Sequence, residues 1–490
     1  MAFKSEHTNF VLIPFMAPGH IIPMIDMAKS LAKHGVSVKT IVTPLDAKRF
    51  GSVIERAVRS GLSIQLLQFP FPCEEAGLPP GCESGDCMPS YELLPNFARA
   101  INLSQEPVER MLKELKPRPS CIICDRHLAW TADTCNKLDV PRIVFDGMNC
   151  LAQLVMHNLY KSNICESIFP MEPFIVPGLP DALEFTKLQL PDSLNPGPID
   201  YGDFHEQVRK TESIGYGVVI NTFEELEQRY VDEFRKVKGG KVWCIGPLFL
   251  CSDDKLDKTE RGNQASMDSD RCLKWLDGMK PDSVVYACLG SLSRMSLGQF
   301  IELALGLEAS GHPFILVVKT GENSSEIENW ILEDGFEERM KGRGLLLRGW
   351  APQVLILSHP SVGGFLTHCG WNSTLEGISA GVPMITFPMF GEQFFNEKLV
   401  VQVLGIGMGV GARIVTHMGE EEKPEARVTR DGIMTAVERV MDTGRGGNER
   451  RKRAKELGEM AKSSVRVGGS SYINTAMFIQ EIAELSQSKQ

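Results

Sequence analysis

The sequence predicts an α/β protein of two doubly wound domains, each a largely parallel sheet with helices on both faces. Three observations carry this. Short apolar runs of strand character alternate with stretches of helical apolar spacing in both halves. Both halves contain a strand–helix–strand unit whose crossover is long enough to be parallel. The chain, at 490 residues, suffices for two cores of ordinary size.

The first strand is NFVLIPFM. A turn at Ala17-Pro18-Gly19-His20 leads into a helix with apolar residues at Ile21, Met24, Ile25, Ala28, Leu31 and Ala32, ended by Gly35. VSVKTIV is the next strand, so His20 stands at the C-terminal end of the first strand, where open α/β sheets place ligands. Residues 69–89 form an irregular section rich in proline, glycine and cysteine, a length that usually serves function. The strand SCIICD ends at Asp125 on the same sheet edge as His20, before a helix near WTADTCNKL and the strand RIVFDG. Helical stretches and proline-rich turns follow, then the strand GVVINT, an acidic helix and KVWCIGPLFL as the last strand of this half.

These elements define a first domain over residues 1–250. A polar stretch over 251–270 reads as the linker, and a second domain spans 271–469. The second half opens with a helix around LKWLDG and the strand SVVYACLG, whose turn carries Gly290-Ser291. The helix SLGQFIELALGLEASG and the strands FILVVK and GLLLRGW come next. The last helix, YINTAMFIQEIAELSQ, should bury a stripe of Ile473, Met477, Phe478 and Ile482.

Residues 350–393 organise the second half. VGGFLTH is a strand that breaks at Cys369-Gly370; a helix covers roughly 373–380; Gly381 and Pro383 stop it; MITFPMF is the following strand. A right-handed crossover brings both strand ends to one sheet edge, so His368 and Gln393 share a crevice with a helix N-terminus. Backbone N–H groups there, bare beside Gly370, suit an anion such as phosphate. Residue by residue, plainer readings stay open. Ser373 to Glu376 spells a capping box, Trp350 could be a core residue, and His368 a loop histidine. His20 could likewise be a turn residue and Asp125 a helix cap.

Composition narrows the classes. The net charge of −10 disfavours a nucleic-acid partner, which basic surfaces bind. The basic run NERRKRAK reads as a solvated helix face. Thirteen scattered cysteines suggest a reducing compartment. Cys121-Ile122-Ile123-Cys124 sits in a strand whose alternate side chains diverge, so it is no metal or redox pair, and Cys82 and Cys87 lack partner histidines for zinc. The N-terminus lacks the apolar core of a signal peptide and no run approaches a membrane span, so a cytoplasmic location is expected. GIGMGVG spells a GxGxxG-like pattern but does not stand between a strand and a helix, which argues against a nicotinamide-dependent oxidoreductase.

The stretch WAPQVLILSHPSVGGFLTHCGWNSTLEGISAGVPMITFPMFGEQ resembles the donor-binding signature box of plant UDP-dependent glycosyltransferases throughout its length. The resemblance implies the GT-B architecture, two Rossmann-like domains facing across a cleft, with the last helix, about 470–490, packing back on the first. It implies that Trp350 stacks on uracil, Gln353 bonds its edge and Glu376 accepts from the ribose. His368, Asn372 and Ser373 would bind the diphosphate beside Gly370; Trp371, Glu392 and Gln393 would hold the sugar. A closing Gln usually accompanies glucose, and Gly290-Ser291 matches the family's second phosphate loop.

His20 and Asp125 match the family's base and its orienting carboxylate. A neutral imidazole suits removal of a hydroxyl proton near pH 7, and a carboxylate on the far nitrogen fixes its tautomer. The expected reaction is therefore inverting transfer from UDP-glucose to a small hydroxylated apolar acceptor by a monomer, without metal or other cofactor. FMAPGHIIPMIDMAK resembles the branch of this family whose members act on flavonoids, triterpenoid or steroidal aglycones and other small hydroxylated compounds of plant secondary metabolism. Pro18 and Asp146 depart from the Gln and His common there. Transfer to carbon, or nucleotide-sugar binding without catalysis, are the alternatives.

Overall fold

The computed structural model describes residues 8–251, 261–262, 269–319, 324–420 and 427–488. The chain forms two compact units: Met1–Cys150 with Ile199–Asp257 and Lys462–Gln490, and Leu151–Pro198 with Lys258–Ala461. Most of the linker stretch 251–270 and the middle of GEEEKPEAR fall outside the described residues.

The first unit holds a seven-stranded parallel sheet. Its order across the sheet is Ile64–Gln68, Ser37–Val42, Asn9–Ile13, Cys121–Asp125, Arg142–Asp146, Gly217–Ile220, Val242–Cys244. Asn9–Ile13 and Cys121–Asp125 are direct neighbours, with Ile13 opposite Cys124. Strand order reverses around this pair, which makes their C-terminal ends the topological switch point. Two strands are shorter than the apolar runs that encode them, because proline cannot donate to the ladder: Pro14 follows Ile13, and Pro247 lies just beyond Cys244. The irregular section over 69–89 is anchored here. Gly85 N–H donates to the Met16 carbonyl at 2.8 Å and buried Ser84 caps the same oxygen at 3.3 Å, fixing the turn before His20.

The last helix, Ser470–Gln487, belongs to this unit: Phe478 packs on Phe10 and Trp243, and Tyr216 donates to Glu481 at 2.7 Å. Its buried face differs from the predicted stripe. Phe478 and Ile482 are buried, but Ile473 and Met477 are 46% and 56% exposed. At 100° per residue the line of Ser471, Thr475, Phe478 and Ile482 faces the sheet, and Ile473 and Met477 sit on the flank beside it.

The second unit holds a six-stranded parallel sheet in the order Gly344–Arg348, Phe314–Val318, Val284–Cys288, Val362–Thr367, Met384–Thr386, Gly407–Gly409. Here too the switch lies between adjacent central strands, Val284–Cys288 and Val362–Thr367. GIGMGVG supplies the edge strand, Gly407–Gly409. Segment Leu151–Pro198, placed by sequence within residues 1–250, groups with this unit. Phe185, from a short antiparallel pair, meets Phe395 edge-on at 5.3 Å, Val415 N–H donates to Leu188, and His417 contacts Asp192 at 2.6 Å. Among the described residues no helix is long and apolar enough to cross a membrane.

Candidate active site

In the first unit the helix Pro18–Lys33 begins two residues before His20, so His20 lies in its first turn and not in the preceding loop. Its Nδ1 is 2.7 Å from Asp125 Oδ2. Asp125, the last residue of its strand, is fully buried. Its other oxygen, Oδ1, accepts from the backbone N–H of His127 at 2.9 Å and lies 2.9 Å from His127 Nδ1. Burial alone would raise the Asp125 carboxyl, but the charge of His20 and hydrogen bonds from both histidines hold it well below the usual carboxylate range. An ionised carboxylate only accepts, so both Nδ1 atoms carry the hydrogen, and in the neutral rings both Nε2 atoms are left basic. His127 is held below its ordinary value by burial.

His127 was not legible in the sequence. The only signal for it is that the second residue after a strand end shares the edge with that strand's last side chain. The ligand atoms of His20, Asp125 and His127 lie within 4.8 Å of one another, a grouping of a kind that can hold a metal ion. Here the Nδ1 atom of each imidazole is hydrogen-bonded to one oxygen of the carboxylate. Asp146, at the end of the next strand, is buried and paired with Arg126 at 3.0 Å. Among the cysteines, none is disulfide-bonded; Cys121 and Cys124 are buried in the strand, and burial pushes the Cys82 thiol up to about 11.

In the second unit, His368 follows the strand Val362–Thr367, and Cys369 takes a left-handed φ of 65° before the helix Trp371–Ala380. The imidazole of His368 is sandwiched between Gly290 and Gly370: a Cβ added at either would overlap the ring. Burial drives His368 down to about 4, so it is neutral, and its Nδ1 is buried without a hydrogen-bond partner. The helix starts at Trp371 with Gly370 as N-cap and no side-chain cap, two residues earlier than predicted. Asn372 and Ser373 therefore occupy its first turn, half-buried, and Ser373 is not an N-cap. Half-buried Ser291 follows Gly290 in the facing loop.

Glu376 does not close a capping box. It accepts from Gln353 Nε2 at 2.7 Å and pairs with Arg261. Gln353 Nε2 also reaches Ser373 Oγ at 3.0 Å, and Tyr286 donates to Gln353 Oε1 at 3.3 Å. Trp350 is partly exposed; its Nε1 donates to the Arg261 carbonyl at 3.2 Å, and Gly262, at φ 104°, lies against the indole so closely that it has no room for a Cβ. Trp350, Gln353, Ser373 and Glu376 are thus one connected group.

Two residues are more enclosed than the resemblance implies. The Trp371 side chain is buried, and the residue opens the helix. Gln393 is buried too, with Oε1 taken by the N–H groups of Met389 and Phe390 at 2.8 and 3.1 Å, so only its Nε2 remains to address a ligand. Glu392 accepts from Asn396 at 3.3 Å, and Asn396 in turn donates to the Cys369 carbonyl at 2.8 Å, tying the closing Glu-Gln to the His368 turn.

Two Rossmann-like halves, one with a histidine–carboxylate pair at its switch point and the other with a glycine-flanked helix N-terminus at its own, place the chain in the GT-B class. The GT-B assignment agrees with solved structures. UGT73P12 of Glycyrrhiza uralensis, complexed with glycyrrhetinic acid 3-O-monoglucuronide, is 36% identical and superposes with a TM-score of 0.91 over 98% of this chain and 97% of its own. UGT89C1 of Arabidopsis thaliana, complexed with UDP-L-rhamnose, is 26% identical with a TM-score of 0.72 over 97% of this chain and 98% of its own. UDP-glycosyltransferase 73C3 of Arabidopsis thaliana is 50% identical across 98% of this chain and 97% of its own. Residues 273–442 match the model of UDP-glucoronosyl and UDP-glucosyl transferase, and residues 6–250 match the glycosyltransferase N-terminal domain. The chain belongs to the plant UDP-glycosyltransferases, enzymes that transfer a sugar from a UDP-sugar to a small molecule.

Proposed function

We propose that this enzyme transfers glucose from UDP-glucose, with inversion, to a hydroxyl of a flavonoid, triterpenoid or steroidal aglycone, and that His20 is the general base. The observation that carries the reading is the 2.7 Å contact between His20 Nδ1 and the buried, ionised Asp125. It holds the ring in the tautomer whose Nε2 can take an acceptor proton, and stabilises the imidazolium as that proton arrives. The acceptor oxygen then attacks the anomeric carbon from the face opposite UDP, the C–O bond to the diphosphate breaks, and an α-linked donor yields a β-glucoside.

Negative charge grows on the departing diphosphate. His368, the amides of Gly370, Trp371 and Asn372, and the hydroxyls of Ser373 and Ser291 are the groups assigned to it. Trp350 and Gln353 take the uracil and Glu376 the ribose, while Glu392 and the Gln393 Nε2 take sugar hydroxyls. No metal is needed for this charge to be met. Gln393 supports glucose as the sugar, and the glycyrrhetinic acid derivative bound by the Glycyrrhiza relative supports the triterpenoid member of the acceptor range.

His20→Ala should abolish transfer while UDP binding, followed by calorimetry, survives. Near-normal turnover in that variant would remove His20 as the base. UDP release measured with UDP-glucose, UDP-glucuronate and UDP-rhamnose against a panel of these aglycones tests the donor and acceptor; mass spectrometry of the products separates transfer to oxygen from transfer to carbon.

A further inference from the structure

Asp125 has two carboxylate oxygens, and each faces an imidazole. Oδ2 lies 2.7 Å from His20 Nδ1 and Oδ1 lies 2.9 Å from His127 Nδ1. One such partner is all that a general base requires. His127 is also firmly placed. Its backbone N–H donates to the same Oδ1, its ring lies parallel to Phe204 at 6.4 Å and tilted on Phe15 at 5.2 Å, and it meets the His20 ring edge-on at 5.1 Å and 90°. Phe15 touches His20 as well, at 5.1 Å. The two imidazoles and the carboxylate therefore form one packed group.

The Asp125 charge is what stabilises a protonated His20. A second N–H donor on that carboxylate draws charge toward Oδ1 and weakens the acceptor that Oδ2 presents to His20. His20 is thereby made a weaker base than it would be with Asp125 to itself, and stays deprotonated to lower pH. The other charged groups near His127 are Arg126 and Asp146, which pair with each other, and Arg126 also engages Glu212. Phe15 and Phe204 contribute no charge, and Asp146 is held by Arg126, so Asp125 is the carboxylate to which His127 hydrogen-bonds.

We propose that His127 is a positioning residue: by sharing Asp125 with His20 and abutting its ring, it sets the pH range over which the base is active. This rests on the reading of His20 as the general base. The test is kcat/KM against pH for the full chain, with UDP-glucose and the best acceptor of the panel, in wild type, His127→Phe and His127→Asn. His127→Phe keeps a ring in place but loses the side-chain donor. Its acid limb should move up by about one pH unit, which is a tenfold loss of activity below the limb, with the high-pH plateau and the UDP dissociation constant little changed. His127→Asn, whose amide N–H can reach Oδ1, should bring the limb back toward wild type.

An unshifted limb in His127→Phe, or an equal fall at every pH, would overturn the proposal and leave His127 as packing. Equal shifts in the Phe and Asn variants would overturn the role of the shared hydrogen bond. Should the Phe variant fail to bind UDP, His127→Ala must show the same upward shift for the proposal to stand. His20→Ala, run alongside, separates the two readings: retained turnover there refutes the base assignment whatever His127 does.

Discussion

His20 and Asp125 were legible from their places at the ends of two strands, because an open parallel sheet sends such residues to one edge. What the sequence could not supply was the use of the second carboxylate oxygen. A histidine two residues past a strand carries no periodic signal, and its meaning appears only when Oδ1 is seen to need a donor. The same holds for Gln393, whose oxygen is consumed by its own turn. Asp125→Asn preserves shape but replaces an ionised acceptor with an amide that can misorient the imidazole. kcat should fall by about 10²–10⁴ with little change in the UDP dissociation constant, measured by steady-state kinetics and calorimetry. Gly290→Ala should act on the other side of the chemistry: the new methyl would stand 2.5 Å from the His368 ring, displacing it and weakening UDP binding with the His20 pair intact.

The element that most shapes the donor side is the turn from the strand Val362–Thr367 into the helix Trp371–Ala380. Sequence placed the strand, the helix and the Gly381 stop, but started the helix two residues late, since Ser373 and Glu376 imitate a capping box. The glycine at the true N-cap leaves no side chain to announce itself. Cys369 holds a left-handed φ of 65° without being glycine, so something must fix it. Asn396 does so from the following helix, donating to the Cys369 carbonyl while fully buried. Asn396→Ala leaves that carbonyl unsatisfied and should cost about 1–3 kcal/mol, read as a lower denaturation midpoint, together with a larger UDP dissociation constant. The final helix shows the opposite failure: its apolar residues were correctly seen as amphipathic, yet two neighbouring lines of apolar side chains cover its surface and only packing on Phe10 and Trp243 selects between them.

At the scale of the whole molecule, two alternating α/β halves follow from periodicity, whereas the grouping of Leu151–Pro198 with the second unit depends on contacts such as Phe185 with Phe395 that no local pattern encodes. Stability also carries a pH signature from a buried acid. Burial raises Glu397 to about 7 against a hydrogen bond from Thr386. Between about 4.5 and about 7 the native state keeps a proton that the unfolded chain has lost, so this group's contribution declines as pH rises through that window. Glu397→Gln should therefore gain melting temperature relative to wild type on going from about pH 5 to pH 8; a difference constant with pH would refute the linkage. Arg261 and Gly262 lie against the residues assigned to the nucleoside. The seat proposed for the nucleoside is already taken, with the guanidinium in the place of ribose hydroxyls on Glu376 and main chain lying over the indole of Trp350. On that proposed assignment, incoming UDP would displace an occupant tethered to the same polypeptide, and its apparent affinity would be the intrinsic one reduced by the fraction of molecules whose seat is vacant. Arg261→Ala empties the seat more often, so calorimetry should show UDP binding more tightly to that variant than to wild type.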